Sequence, residues 1–78
     1  MTNQPSFTAL RDEAVAVLAQ ILDLYADPLT LQKDTIELED QYRDLVVQMQ
    51  RMLPATKKVQ DRLQRDIVRR AKALQTAA

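Results

Sequence analysis

The sequence predicts an all-α protein, an antiparallel helical hairpin extended by a third amphipathic helix. The 78 residues include no glycine, cysteine, histidine or tryptophan. Without glycine, tight β-hairpins and phosphate-binding loops lack their usual residue. Apolar residues recur at steps of three and four along most of the chain, the spacing of one α-helical face. The length allows one domain, which we expect over residues 6–78, behind a disordered tail at 1–5.

Helix 1 is predicted over about 6–26, with Ser6 as its N-cap. Two adjacent apolar stripes make its apolar face wide, and a helix of this kind usually lies centrally between two or more neighbours. Its charged residues, Arg11 among them, are assigned to solvent. The first stripe consists of Phe7, Leu10, Ala14, Val17, Ile21 and Leu24, and the second of Val15, Leu18, Leu22 and Tyr25.

Asp27 and Pro28 predict a sharp turn between helices 1 and 2. Proline disfavours helical geometry at the residue before it, which ends helix 1 at about Ala26. Asp27 is a good N-cap and Pro28 suits a first helical turn, so helix 2 is expected over about 28–53. A connection this short folds the two helices into an antiparallel hairpin.

Pro54 leaves two interpretations of the second half of the chain. It removes a backbone donor and would clash within a helix, so it either ends helix 2 or kinks a single long helix. The first case gives a three-helix bundle with helix 3 over about 55–75. The second gives a bent rod about 70 Å long. The heptad-spaced apolar residues keep their phase across Pro54, as in a coiled coil.

Charge is divided unevenly although the net charge is zero. Residues 1–27 have one basic and four acidic side chains, residues 28–53 have three and five, and residues 54–78 have seven and two. Helix 3 therefore carries a basic face opposite its apolar face. The basic face consists of Lys58, Arg62, Arg65, Arg69 and Lys72.

Four interpretations of the basic face remain open from the sequence. It could pair with acidic helices of the same molecule or of a symmetry mate. It could contact nucleic-acid phosphates, although residues 43–78 contain no aromatic side chain for base stacking. It could lie on a membrane surface, although a membrane-surface helix usually has Trp or Phe at its boundary and helix 3 contains neither. The remaining interpretation is recognition of an acidic or amphipathic partner helix.

The composition disfavours catalysis and bound cofactors. Lack of cysteine and histidine removes the ordinary zinc, haem and iron–sulfur ligands and the commonest general base. Glu37, Asp40 and Asp44 share one flank of helix 2, but inward Glu-x-x-His pairs are absent, so a solvated acidic face is the better interpretation. Tyr25 and Tyr42 are expected in the core with their hydroxyls at its rim. We expect no metal, no cofactor, no small-molecule substrate and no enzymatic activity.

The function predicted is a non-enzymatic protein–protein interaction module: a small adaptor, chaperone-like or assembly factor. The alternative is a nucleic-acid-binding or regulatory helical protein that uses the basic face of helix 3. Because the apolar surface looks large for one monomer, we expect a protein partner, self-association, or both. No apolar run is long enough to cross a membrane, and a cytoplasmic location is expected. The apolar interface is predicted to comprise Leu38, Tyr42, Leu45, Met49, Met52, Val59, Leu63, Ile67 and Leu74.

Overall fold

The computed structural model describes residues 5–30 and 32–76. Most of the predicted tail, residues 1–4, lies outside the described residues. The described chain forms three α-helices: α1 Phe7–Ala26, α2 Gln32–Arg51 and α3 Lys57–Thr76. The prediction of an all-α, three-helix fold is confirmed.

Helix α1 begins and ends where its sequence predicts. The Ser6 hydroxyl oxygen accepts a hydrogen bond from the Ala9 backbone N–H at 3.1 Å, which satisfies a donor in the first turn. At the other end the Asp27 N–H donates to the Leu24 carbonyl. Asp27 has extended backbone angles, φ −92° and ψ 115°, as expected for a residue before proline.

The turn after α1 differs from the prediction. Helix α2 begins at Gln32 and not at Pro28, so Asp27 does not cap it. Instead the Asp27 carboxylate accepts from the Leu29 N–H at 2.9 Å, and its backbone carbonyl accepts from the Thr30 N–H at 3.1 Å. Aspartate favours such local side-chain-to-backbone turns, and here this turn replaces the predicted first turn of α2.

Pro54 separates two helices and does not kink a single one. Helix α2 ends at Arg51, and α3 begins at Lys57 rather than at residue 55. Thr56 accepts a long hydrogen bond from the Val59 N–H at 3.4 Å, and the Gln60 side chain donates to the Pro54 carbonyl at 3.3 Å. The longest principal extent is 40 Å, so the bent rod of about 70 Å is wrong.

Helix α1 is central, as its wide apolar face predicts, and packs against both α2 and α3. In the described residues α2 and α3 make little direct contact with each other. The Tyr25–Glu39 and Asp23–Gln75 hydrogen bonds place the end of α1 beside the start of α2 and the end of α3. The core cluster consists of Leu10, Ala14, Val17, Ile21, Leu45, Met49, Leu63 and Ile67.

Candidate partner-binding groove

A groove of about 950 Å³ lies between the start of α1, the segment that joins α2 to α3, and the first three turns of α3. The less exposed members of its lining are four apolar residues, which form its floor, together with Arg11 and Asp66, whereas the exposed members are mostly cationic. We call this the basic groove. Its floor comprises Phe7, Leu53, Val59 and Leu63, and its cations are Arg11, Lys57, Lys58, Arg62, Arg65 and Arg69.

The predicted basic face of α3 is exposed throughout, but only part of it belongs to the groove. Lys58, Arg62, Arg65 and Arg69 line the groove, together with Lys57, which the sequence did not assign to that face. Lys72 is exposed on the same helix and is not part of the lining. The structure therefore divides the predicted face into a groove portion and an outer portion.

Most of the groove cations have no anionic partner among the side chains that the structure describes. Among the described side chains of residues 5–30 and 32–76, every ion pair joins residues of the same helix. Within these ranges Lys57, Lys58, Arg62 and Arg65 form no ion pair. Pairing of α3 with an acidic helix of the same molecule thus finds no support, while pairing with another copy stays a prediction.

Asp66 is an acidic residue of the groove lining, and it pairs with two arginines of its own helix. Arg69 donates to one carboxylate oxygen at 2.7 Å and Arg70 to the other at 2.9 Å. The hydrogen bond from Arg70, more than that from Arg69, lowers the pKa of Asp66 although partial burial opposes the shift. Arg69 is consequently less available to a partner than Arg62 or Arg65.

Arg11 is a groove residue that the sequence interpretation placed in solvent, and that assignment is wrong. Its side chain is 24 % exposed, against 78 % for Arg69. A sequence feature could have revealed this, since Arg11 continues the second apolar stripe, four residues before Val15. Phe7, four residues earlier on the same face, lines the groove with it.

The residues predicted as an apolar interface fall into three groups. Leu45, Met49, Leu63 and Ile67 are buried in the core of the monomer, and Leu38, Tyr42 and Val59 are half-buried. Burial raises the pKa of the Tyr42 hydroxyl. Only Met52 and Leu74 are exposed, at 44 % and 50 %. Most of the predicted interface therefore holds α2 and α3 against α1.

A second, smaller groove of about 470 Å³ lies mainly between α1 and α2. Tyr25, expected in the core, is 61 % exposed here, and its hydroxyl donates to a Glu39 carboxylate oxygen at 2.6 Å. This bond raises the pKa of Tyr25 and lowers that of Glu39. Because these two polar groups satisfy each other, they offer less to a ligand than the cations of the basic groove.

The described part of the chain also bears on metal binding and on membrane insertion. Residues 5–30 and 32–76 contain no group of three or more His, Cys, Asp or Glu placed to hold a metal ion. Within the same part of the chain, no helix has both the length and the apolar character needed to cross a bilayer. No protein-family model, curated protein or solved structure matches this chain.

Proposed function

We propose that the protein is a non-enzymatic interaction module whose basic groove binds an acidic, amphipathic segment of a partner protein. The partner would place apolar side chains on the floor and carboxylates beside the cations. Such a module fits the adaptor, chaperone-like and assembly roles expected from the sequence.

The observation that carries the proposal is the joint occurrence of an apolar floor and unpaired cations in one groove. Apolar contact supplies affinity at the centre of an interface, whereas surrounding charges supply specificity and faster association. The α3 wall from Lys58 to Arg69 spans about 17 Å at 1.5 Å per residue. That length suits about three turns of a partner helix laid into a groove.

The fold supports this role because the groove is built on packed helices. Leu63 contributes to both the core and the floor, and Phe7, Leu53 and the core cluster pack together. The groove walls are thus fixed by the same burial that stabilises the bundle. A partner would meet a largely preformed surface, which reduces the entropic cost of binding.

The test is a nuclear magnetic resonance titration of the isotope-labelled protein with a synthetic helical peptide of about 15 residues. The peptide carries leucine on one face and glutamate on the other, and a matched peptide has glutamine in place of glutamate. We expect shifts centred on Phe7, Leu53 and residues 57–65, which weaken with the glutamine peptide. Shifts centred on the outer face of α2, or equal binding of both peptides, would contradict the proposal.

Nucleic-acid binding is the second candidate, favoured by the cations that continue beyond the groove. Lys58 to Lys72 extends over about 21 Å, and a phosphate backbone could contact the whole face. Lys72→Glu separates the two functions, because it changes a cation of the face but not of the groove. Nucleic-acid binding predicts weaker oligonucleotide binding by this variant, whereas groove binding predicts unchanged peptide affinity.

Self-association remains a separate expectation. Several large apolar side chains are exposed on the monomer and could be covered by another copy, a hypothesis that light scattering tests directly. These side chains are Tyr25, Leu29, Ile36, Val47, Met52 and Leu74.

A further inference from the structure

We infer that Arg11 is the residue that selects a carboxylate within the basic groove. The partner must then place a glutamate or aspartate side chain against the start of this protein's α1. This inference rests on the proposed function and names the chemistry that its central contact requires. Arg11 is the only basic residue of the chain before Lys33, so the opposite wall of the groove from α3 has one cation.

The hydrogen-bonding state of Arg11 carries the inference. Its Nε is buried, and in the described residues this atom has no hydrogen-bond partner. In the described part of the chain its one ion pair is with Asp12, at 3.4 Å and with a carboxylate that is 67 % exposed. That distance is long for a charge-assisted hydrogen bond, and an exposed pair of this kind contributes little.

The groove's own carboxylates do not satisfy Arg11. Asp66 lines the same groove, but both of its oxygens accept from Arg69 and Arg70. Asp61, the other acidic residue of the lining, is exposed and forms no ion pair in the described chain. A guanidinium has five donors, and Arg11 uses one of them within the described residues.

A partly buried cation with an unsatisfied donor lowers stability, because it loses hydration without gaining a protein partner. Although the buried Nε stays out of a partner's reach, the terminal nitrogens of the planar guanidinium match the two oxygens of a carboxylate, which would give the charge a closely bound anion. A phosphate has similar oxygens, but a nucleic-acid backbone brings no apolar group to Phe7, Leu53 or Val59. The apolar floor therefore favours a carboxylate carried by an amphipathic peptide.

The experiment measures two properties of Arg11→Met, namely its affinity for the glutamate and glutamine peptides and its melting temperature. We expect affinity for the glutamate peptide to fall about tenfold, as for loss of a charged hydrogen bond, with little change for the glutamine peptide. The melting temperature should not fall, because methionine removes an uncompensated charge and keeps the apolar stem. The affinity of Arg11→Lys for the glutamate peptide should lie between those of the wild type and Arg11→Met, since lysine keeps the charge and loses the planar fork.

Lys33→Met is the matched control, because it removes an exposed cation of α2 that lies outside the groove. We expect it to bind both peptides as the wild type does. If Arg11→Met also binds both peptides as the wild type does, Arg11 selects nothing and the inference is wrong. If Arg11→Met weakens both peptides equally, or lowers the melting temperature without restoration by Arg11→Lys, Arg11 has a structural role and the inference is again wrong.

Failure of the inference differs from failure of the proposed function. If the wild type does not distinguish the glutamate from the glutamine peptide, both are wrong. If it does, and replacing Arg62 and Arg65 by glutamate abolishes the difference while Arg11→Met does not, only the assignment of Arg11 is wrong. A single-stranded oligonucleotide that displaces the peptide and depends on Arg11 would show that Arg11 selects phosphate.

Discussion

The two junctions on either side of α1 differ in charge and in how their polar groups are satisfied. On the α2 side, Tyr25 and Glu39 form a short hydrogen bond across the helices. On the α3 side, Gln75 donates to Asp23 at 2.7 Å at one end, whereas the other end opens into the basic groove. Among the described residues, four of the cations without an ion pair, Lys57, Lys58, Arg62 and Arg65, thus lie together at one end of one junction, and we propose that the partner binds there.

The largest expected effects come from the core residues that hold each junction together. Met49 of α2 and Ile67 of α3 are both fully buried. Replacing either by alanine leaves a cavity, so we expect each to lower the free energy of unfolding by about 2–5 kcal/mol. Chemical denaturation followed by circular dichroism measures this loss.

The same two alanine variants also test whether the α1–α2 and α1–α3 junctions unfold as one unit. A single cooperative transition in both variants would show that α3 belongs to the same unit as the hairpin. If Ile67→Ala detached α3 while the α1–α2 hairpin stayed folded, α3 would be a separable arm. Such an outcome would contradict a rigid groove.

A smaller effect on the free energy of unfolding is expected at Asp66, whose carboxylate pairs with two arginines of the same helix. Asp66→Asn weakens the pairs with Arg69 and Arg70, which are at least partly exposed. We therefore expect a loss of about 0.5–1 kcal/mol, measured by thermal or chemical denaturation. A loss as large as that of the core variants would show that the groove wall depends on this ion pair.

The Asp66 pairs also predict a direction of pH dependence. The pKa of Asp66 is lowered in the folded state from 3.8, so its contribution to stability is present above that value. This contribution is lost as the pH falls below 3.8 and through the lower folded pKa. Asp66→Asn should flatten that part of the stability profile, and an unchanged acid limb would contradict the assignment.

The smallest effect on stability is expected between α1 and α2, from the ionisation of Tyr25 and Tyr42. The pKa values of Tyr25 and Tyr42 are both raised from 10.0, for Tyr25 mainly by the Glu39 hydrogen bond and for Tyr42 by burial. Their contributions are therefore present below pH 10.0 and lost as the pH rises through the folded pKa values. Glu39→Gln should lower the pKa of Tyr25 and leave that of Tyr42 unchanged, which ultraviolet titration of Tyr42→Phe and Tyr25→Phe variants can resolve.

The sequence predicted the helical segments because apolar periodicity and two prolines act locally, but it left open whether Pro54 separates the last two or only kinks them. It correctly placed the Ser6 cap and the end of α1, and it identified α1 as the central helix. It missed the late start of α2, since Asp27 can equally cap a helix or close a turn over Pro28. Apolar periodicity does not distinguish a helix cap at Asp27 from a turn over Pro28, and only the folded backbone does.

The groove was harder to predict because it joins residues far apart in the chain. Helical spacing identified Lys58, Arg62 and Arg65 as one face, but it could not indicate that α1 would bring Arg11 beside them. The same limitation affected the apolar set, in which Leu63 and Ile67 turned out to be core residues and Leu74 remained exposed. A helical pattern shows which residues share a face, whereas the fold decides what that face meets.

The central claim is that the unpaired cations of the groove bind an acidic partner segment, and one comparison of affinities tests it most directly. Fluorescence anisotropy would measure binding of the labelled glutamate peptide to Arg62→Glu/Arg65→Glu and to Lys33→Glu/Arg51→Glu. Both variants change net charge equally, but only the first alters the basic groove. We predict that the first loses at least about tenfold in affinity and that the second falls far less. Equal losses in the two variants, or full binding by the first, would contradict the account.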